Sequence, residues 1–341
     1  MKIKTNPELE RFFSRCKNNL TQEMKNDFLG LQVNPQNEAE IQYAMKVAGF
    51  AEFQGPRSSW PSLFISTKAF LKSPYHSHIH LDKIQDKSFR FTTETLASHE
   101  LFSVSSIHPD PLRELNDWMT LRALDEPYKA TFLYQGKEVW MLDAPSEANT
   151  MDPYAMKAKG NVLTFGLGIG YFIYMAMLNP EVTSITVIEK SKAVIDLFEK
   201  YLLPQFPKSI TLNIIEGDAF NFFDEEFMKD YDYTFVDIWQ SNEDGFKLIQ
   251  GLLEQYLPPY DQVDFWIESS CVEFIPALIY LTFESMAHHR VMKHPDKMYQ
   301  KVLKKINLYL ESIDETVTEV DRLKTLMYDP EILRKIISLK L

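Results

Sequence analysis

The residues of this 341-residue chain whose types and spacing could do chemistry are glycines and carboxylates in its middle third. Gly166-Leu167-Gly168-Ile169-Gly170 stands between a strand-like run and a helix-like run. Glycine at such a junction lets the backbone turn tightly and approach a ligand with no side chain in the way. Free N–H groups at the start of the following helix favour a carboxylate or phosphate. The dinucleotide fingerprint G-x-G-x-x-G would want glycine at 171, where this chain has Tyr171. Glu189 ends the next strand-like run, and an acid there can accept hydrogen bonds from both hydroxyls of a ribose. Glu216-Gly217-Asp218-Ala219 closes the third run. Asp218 can accept the amino group of an adenine while the N–H of Ala219 meets a ring nitrogen. Asp218 can equally cap a helix beginning at Ala219, and the two roles are compatible.

These residues need a scaffold that brings successive strand ends together. Strand-like segments fall at 161–165, 184–189, 209–217, 231–239 and 261–270. Helix-like segments separate them at 171–178, 191–203 (ended by Pro204), 219–229 and 243–256. Apolar runs of this length spaced by helices predict an α/β fold, a doubly wound and mainly parallel sheet buried on both faces. Its ligand is expected beyond the carboxyl ends of the strands. Upstream, the spacing predicts a helix over 7–30, with Leu9, Phe12, Phe13, Cys16 and Leu20 on one face. A second helix over 38–50 would be stopped at Gln54-Gly55-Pro56. Short strands follow at 75–81 and 88–93, then a hairpin over 129–142 turning at Gln135-Gly136. After Ser270 the chain reads as helix to its end, with 272–287 buried and 302–323 amphipathic. The organisation expected is an N-terminal α+β extension (1–145) forming the acceptor-site or lid region, a cofactor domain (146–275) and a helical C-terminal segment (276–341).

The segments VLTFGLGIGY, ITVIEKS, IIEGDAF and YDYTFVDIW, in this order and spacing, resemble the successive nucleotide-site motifs of class I, Rossmann-like S-adenosylmethionine-dependent methyltransferases. The resemblance covers about residues 145–270. It implies S-adenosylmethionine as cofactor, with Gly166, Leu167, Gly168 and Gly170 along its methionine and ribose. Glu189 would hold the ribose hydroxyls, Asp218 and Ala219 would meet the adenine, and Asp237 would face the reacting centre. EVWMLDAPSEANTM (138–151) lies where the family often packs a lid. Asp237 is the candidate for orienting or deprotonating an acceptor amine or hydroxyl. Positioning the cofactor or capping the strand end are its other readings. Tyr171 is expected on the pocket wall; Trp239 fits wall or core equally. The acceptor is an unidentified small molecule or protein.

Polyamine synthases share this fold as a more distant resemblance. They usually carry an acid at the position of Ile169, and a further Asp within the stretch that here reads Ile238-Trp239-Gln240-Ser241. Both departures argue against aminopropyl transfer, and a loop without an acid suits an intact cofactor α-carboxylate. The Asn/Asp-Pro-Pro-Tyr motif of nucleic-acid amino methylases is missing. So is the antiparallel strand pair that most of the family adds after the fifth strand. A non-catalytic S-adenosylmethionine or S-adenosylhomocysteine binder, and a dehydrogenase, stand as further alternatives.

The remaining composition bounds partners. Asp plus Glu number 48 against 36 Lys plus Arg, a net charge of −12, which argues against a nucleic-acid substrate. The denser bases between Lys293 and Lys305 read as a solvated helix face. Two distant cysteines, Cys16 and Cys271, form neither a metal spacing nor a disulfide framework. With no export segment and no long apolar run, a cytoplasmic location away from membranes is expected. His76, His78 and His80 alternate and would share one strand face. An exposed polar face is favoured there over a metal site, and no metal is expected.

Overall fold

Helix α1 (Pro7–Leu20) begins the computed structural model, which describes residues 1–20, 25–84, 87–110, 113–135, 137–289 and 296–341. Asn6 caps α1, its side-chain oxygen accepting the Leu9 N–H at 2.9 Å. Leu9, Phe12, Phe13 and Cys16 are buried on one face, and each apolar side chain so buried stabilises by about 1.5–3 kcal/mol. Leu20, expected on the same face, is 40% exposed. Residues 21–24 of the predicted helix over 7–30 lie outside the described residues, and Lys25–Phe28 forms a 3-10 turn in place of α-helix. Helix α2 (Glu38–Ala48) stops earlier than expected, at Gly49 in the left-handed conformation (φ 94°), not at the Gln54-Gly55-Pro56 turn.

Residues 75–81 are not a strand. Pro74 opens a short helix, α3 (Pro74–His78), where its fixed φ and missing N–H cost nothing. The three histidines therefore share no face. His76 points inward with its side chain 4% exposed, while His78 and His80 are exposed. Among the described residues no group of three or more His, Cys, Asp or Glu could hold a metal ion. Strands β1 (Arg90–Leu96), β2 (Tyr128–Gln135) and β3 (Glu138–Asp143) form an antiparallel sheet in which β2 is central. The predicted hairpin is thus present; Gly136 lies outside the described residues.

Helix α4 (Pro145–Lys157) leads into β4 (Gly160–Phe165), α5 (Tyr171–Met177), β5 (Val182–Glu189) and α6 (Lys192–Leu197). Strands β6 (Thr211–Glu216) and β7 (Tyr233–Val236), helix α7 (Asn242–Gln255) and strand β8 (Val263–Phe265) follow. Phe198–Leu202 continues α6 as a π turn, and only short turns, Ala219–Asn221 and Glu225–Met228, stand where a helix over 219–229 was expected. The five strands pair in the order β6-β5-β4-β7-β8, every pair parallel. The fold is α/β with a Rossmann-like strand order. Successive side chains go to opposite faces. Leu163, Phe165, Ile188 and Val236 enter one core with α1 and α7, while Val162, Val187 and Phe235 enter the other with α5 and α6. Burial on both faces is why the central strands read as mostly apolar runs with no alternation. Strand order reverses at β4, so a crevice opens beyond its carboxyl end.

Beyond β8 no antiparallel pair joins the sheet among the described residues. Helices α8 (Ile275–Ala287), α9 (Lys297–Glu311), α10 (Val320–Tyr328) and α11 (Pro330–Ser338) follow. The amphipathic segment 302–323 is therefore two helices. Between them Thr316–Val317 pairs in parallel with Lys2–Ile3, so the tail is not wholly helical. Arg334 of α11, 2% exposed, donates to both oxygens of Glu268 at 2.8 and 2.6 Å. Its guanidinium lies over the Tyr260 and Phe265 rings, at 4.4 and 5.0 Å. This cluster covers the end of β8. No helix among the described residues is long and apolar enough to cross a membrane. Of the basic stretch, Lys293 and His294 lie outside the described residues. Lys297, Lys301 and Lys304 are solvated, whereas Lys305 is buried against Glu254.

Candidate functional site

Each strand end continues its ladder by one more hydrogen bond. The N–H groups of Gly166, Asp237 and Gly217 donate to Ile188, Phe165 and Glu189 carbonyls, all at 2.9 Å. These bonds bring the glycine turn, Glu189, Asp218 and Asp237 to one edge of the sheet, as the sequence spacing implied. Gly166 has φ +97°, and a Cβ there would run into the Asp237 carbonyl oxygen. Gly168 has φ +55°, and a Cβ there would meet the terminal methyl of Met141. The turn is therefore held between β7 and strand β3 of the hairpin. The Tyr75 hydroxyl donates to the Ile169 carbonyl at 2.7 Å and fixes the turn from α3. His76 ties α3 to the hairpin, its Nε2 lying 2.6 Å from an Asp143 oxygen. The other Asp143 oxygen accepts the Tyr128 hydroxyl at 2.8 Å.

Glu189 is buried. One of its oxygens accepts the Leu167 N–H at 3.0 Å and the other the Ser191 N–H at 2.7 Å. Burial raises its carboxyl above the usual range, and the N–H groups of Ser191, Leu167 and Lys190 partly offset this. These bonds leave part of the carboxylate's acceptor capacity for a ligand. Asp218 does cap the turn at Ala219, accepting the Phe220 N–H at 3.1 Å. It also pairs with Lys190 Nζ at 2.7 Å, and that hydrogen bond lowers its carboxyl. Lys190 is 77% exposed, so its side chain can swing aside for a competing donor.

Asp237 is the most perturbed of the predicted residues. It is half-buried, and desolvation, then the nearby Glu147 and Glu189, push its carboxyl up to about 8. Glu147, in the first turn of α4, is pushed by burial up to about 7. No hydrogen bond or ion pair satisfies either carboxyl among the described residues. Two cavities meet here. The first, about 250 Å³, runs from Gly166–Gly168 past Glu189 to Asp218 and Ala219. The second, about 350 Å³, lies between α4 and the glycine turn and holds Glu147, Asp237, Tyr171 and Trp266. Trp140, Met141, Asp237 and Trp239 border both.

Tyr171 thus walls a cavity, its hydroxyl donating to Asp152 at 2.8 Å. Trp239 is buried and also borders both cavities, its indole N–H without a partner among the described residues. Segment 138–151 lies over the glycine turn as β3 and the start of α4. Sequence reasoning missed Glu147 as a cavity residue. An acid two residues after a proline at a helix start looks like ordinary helix-dipole placement, and only tertiary packing turns it inward. Cys16 and Cys271 are buried, and burial pushes both thiols up to about 12.

No protein-family model matches the chain, and no curated protein matches it. Among solved structures it is similar to a candidate S-adenosylmethionine-dependent methyltransferase from Streptococcus mutans. That match has 20% identity over 38% of this chain and 36% of that one, with TM-score 0.25. A candidate methyltransferase complexed with S-adenosylhomocysteine matches at 15% identity over 39% and 37%, with TM-score 0.26. Shikimate dehydrogenase from Mycobacterium tuberculosis matches at 13% identity over 57% and 68%, with TM-score 0.21. The chain spans little more than a third of the length of the first two. These likenesses carry no weight for activity or ligand.

Proposed function

We propose that the protein is an S-adenosylmethionine-dependent methyltransferase. The observation that carries this reading is the 250 Å³ cavity joining the glycine turn, Glu189 and the Asp218-Ala219 strand end. It offers a close backbone approach at Gly166 and Gly168, carboxylate lone pairs at Glu189 for two ribose hydroxyls, and an acceptor at Asp218 for an adenine amino group. When bound, the cofactor supplies a methyl group activated by its sulfonium. The chain's own tasks are to align an acceptor in the adjoining cavity and exclude water from it. Asp237, at the junction of the two cavities, is the residue in position to orient or deprotonate that acceptor.

One observation favours aminopropyl transfer as a second reading. The glycine turn itself has no acid, yet Glu147 and Asp237 line the neighbouring cavity, and among the described residues no Lys, Arg or His lines it to meet a cofactor α-carboxylate. A decarboxylated donor would avoid that repulsion. Comparing turnover of the two donors separates the readings.

Isothermal titration with S-adenosylhomocysteine tests the common part. The wild type should bind it. Glu189→Gln should weaken binding by about tenfold or more, since it removes the charge and one acceptor oxygen. Unchanged affinity in Asp218→Ala would refute the adenine contact, and a wild type that ignores the ligand would overturn the whole reading.

A further inference from the structure

Apart from the adenosyl site, the feature most in need of an explanation is the carboxyl pair Glu147 and Asp237. They come from different elements, the first turn of α4 and the end of β7. Both reach one cavity of about 350 Å³. Both are half-buried and face that cavity, and neither has a hydrogen-bond or ion-pair partner among the described residues. Asp143, a third acid on the same cavity, differs because His76 and Tyr128 satisfy it. Two half-buried, unpaired carboxyls on one cavity are unfavourable unless something positive joins them. Among the described residues no cationic side chain lines this cavity. The rest of the wall is mostly apolar and includes Trp140, Tyr171, Phe172 and Trp266, and aromatic faces attract an alkylated cation as well as apolar carbon.

We propose that Glu147 and Asp237 together bind the ammonium group of an aliphatic amine, which makes an amine the acceptor class of the transferase site proposed above. This deepens that reading and rests on it. One carboxylate receives a proton from R–NH₃⁺, giving R–NH₂ and a carboxylic acid, so the nitrogen presents its lone pair inside the cavity. The second carboxylate stays ionised and holds the remaining N–H groups. The aromatic walls take the alkyl chain. A carboxylate-bearing or neutral acceptor of the same shape meets either repulsion or unpaired acids, so the cavity rejects it.

The test uses the full-length protein and three probes of matched shape: n-butylamine, n-butanol and butyrate. Binding of each is followed by saturation-transfer NMR at pH 7.5, with and without S-adenosylhomocysteine. The amine should bind with and without that ligand, and butanol and butyrate should not. Glu147→Gln and Asp237→Asn should each weaken amine binding by about tenfold or more, and Glu147→Gln, at a residue that does not line the cofactor cavity, should keep S-adenosylhomocysteine affinity within about threefold. Retained S-adenosylhomocysteine binding also reports that Glu147→Gln is folded, and a cooperative thermal transition reports the same of Asp237→Asn. Butanol binding as well as the amine, or variants that bind the amine as the wild type does, would overturn the proposal. Displacement of the amine by S-adenosylhomocysteine would also overturn it, because the acids would then serve the cofactor's own amino group. If S-adenosylhomocysteine binds and no amine does, the amine inference fails alone. Amine binding without any adenosyl ligand binding would instead sink the cofactor reading and, with it, the acceptor role.

Discussion

Replacing Asp237 by Asn removes a charge from the cavity with almost no change of shape, and the structure gives the effect a sign and a scale. The carboxyl rises from its ordinary value of 3.8 to about 8 in the fold. Between those values the folded state keeps a proton that the unfolded state releases, so stability falls as pH rises through this window. Below about pH 4 both states are protonated and no stability is lost on this account; above about pH 8 the loss is complete. At 1.36 kcal/mol per unit, the displacement corresponds to an upper bound of roughly 6 kcal/mol. The carboxyl touches cavity solvent and is coupled to Glu147, so about 1–3 kcal/mol is expected. Asn cannot ionise. In thermal unfolding between pH 4 and 8.5, without added ligand, wild type and Asp237→Asn should coincide near pH 4. At pH 8.5 the variant should melt higher by roughly 1–4 °C. A variant less stable than wild type by the same amount at both pH values would refute the reasoning, because it would mean the carboxylate is stabilised by a partner.

Glu147→Gln should behave in the same direction over a window ending near pH 7, read by the same melting series. Arg334→Ala should destabilise by about 3–5 kcal/mol in urea unfolding, since it leaves Glu268 without its bidentate partner at the end of β8. Gly166→Ala should cost about 2–4 kcal/mol, from its left-handed backbone and the Asp237 carbonyl in the path of a new Cβ. It should also abolish S-adenosylhomocysteine binding by calorimetry.

The central sheet was legible because each strand is buried on both faces, and runs such as Val162–Phe165 and Ile185–Ile188, apolar but for one buried threonine each, record that burial. The glycine turn, Glu189, Asp218 and Asp237 were legible because parallel strands in flush register bring successive carboxyl ends together. What failed was local and context-dependent. The alternation His76-Ser77-His78-Ile79-His80 looks like a strand, yet Pro74 seeds a helical turn that Tyr75 and His76 anchor through tertiary contacts. The segment 302–323 keeps one amphipathic pattern across a break made by pairing with Lys2–Ile3, a contact spanning almost the whole chain. Glu147 carried no signal of its own, since inward orientation depends on how α4 packs over β7 and on nothing adjacent in sequence.

The most direct test is a crystal structure of the protein with S-adenosylhomocysteine. The ribose hydroxyls should sit on Glu189 and the adenine beside Asp218 and Ala219, with the sulfur directed towards Asp237. Density for the ligand at any other place, or a nicotinamide dinucleotide occupying the glycine turn in competition with it, would contradict the assignment.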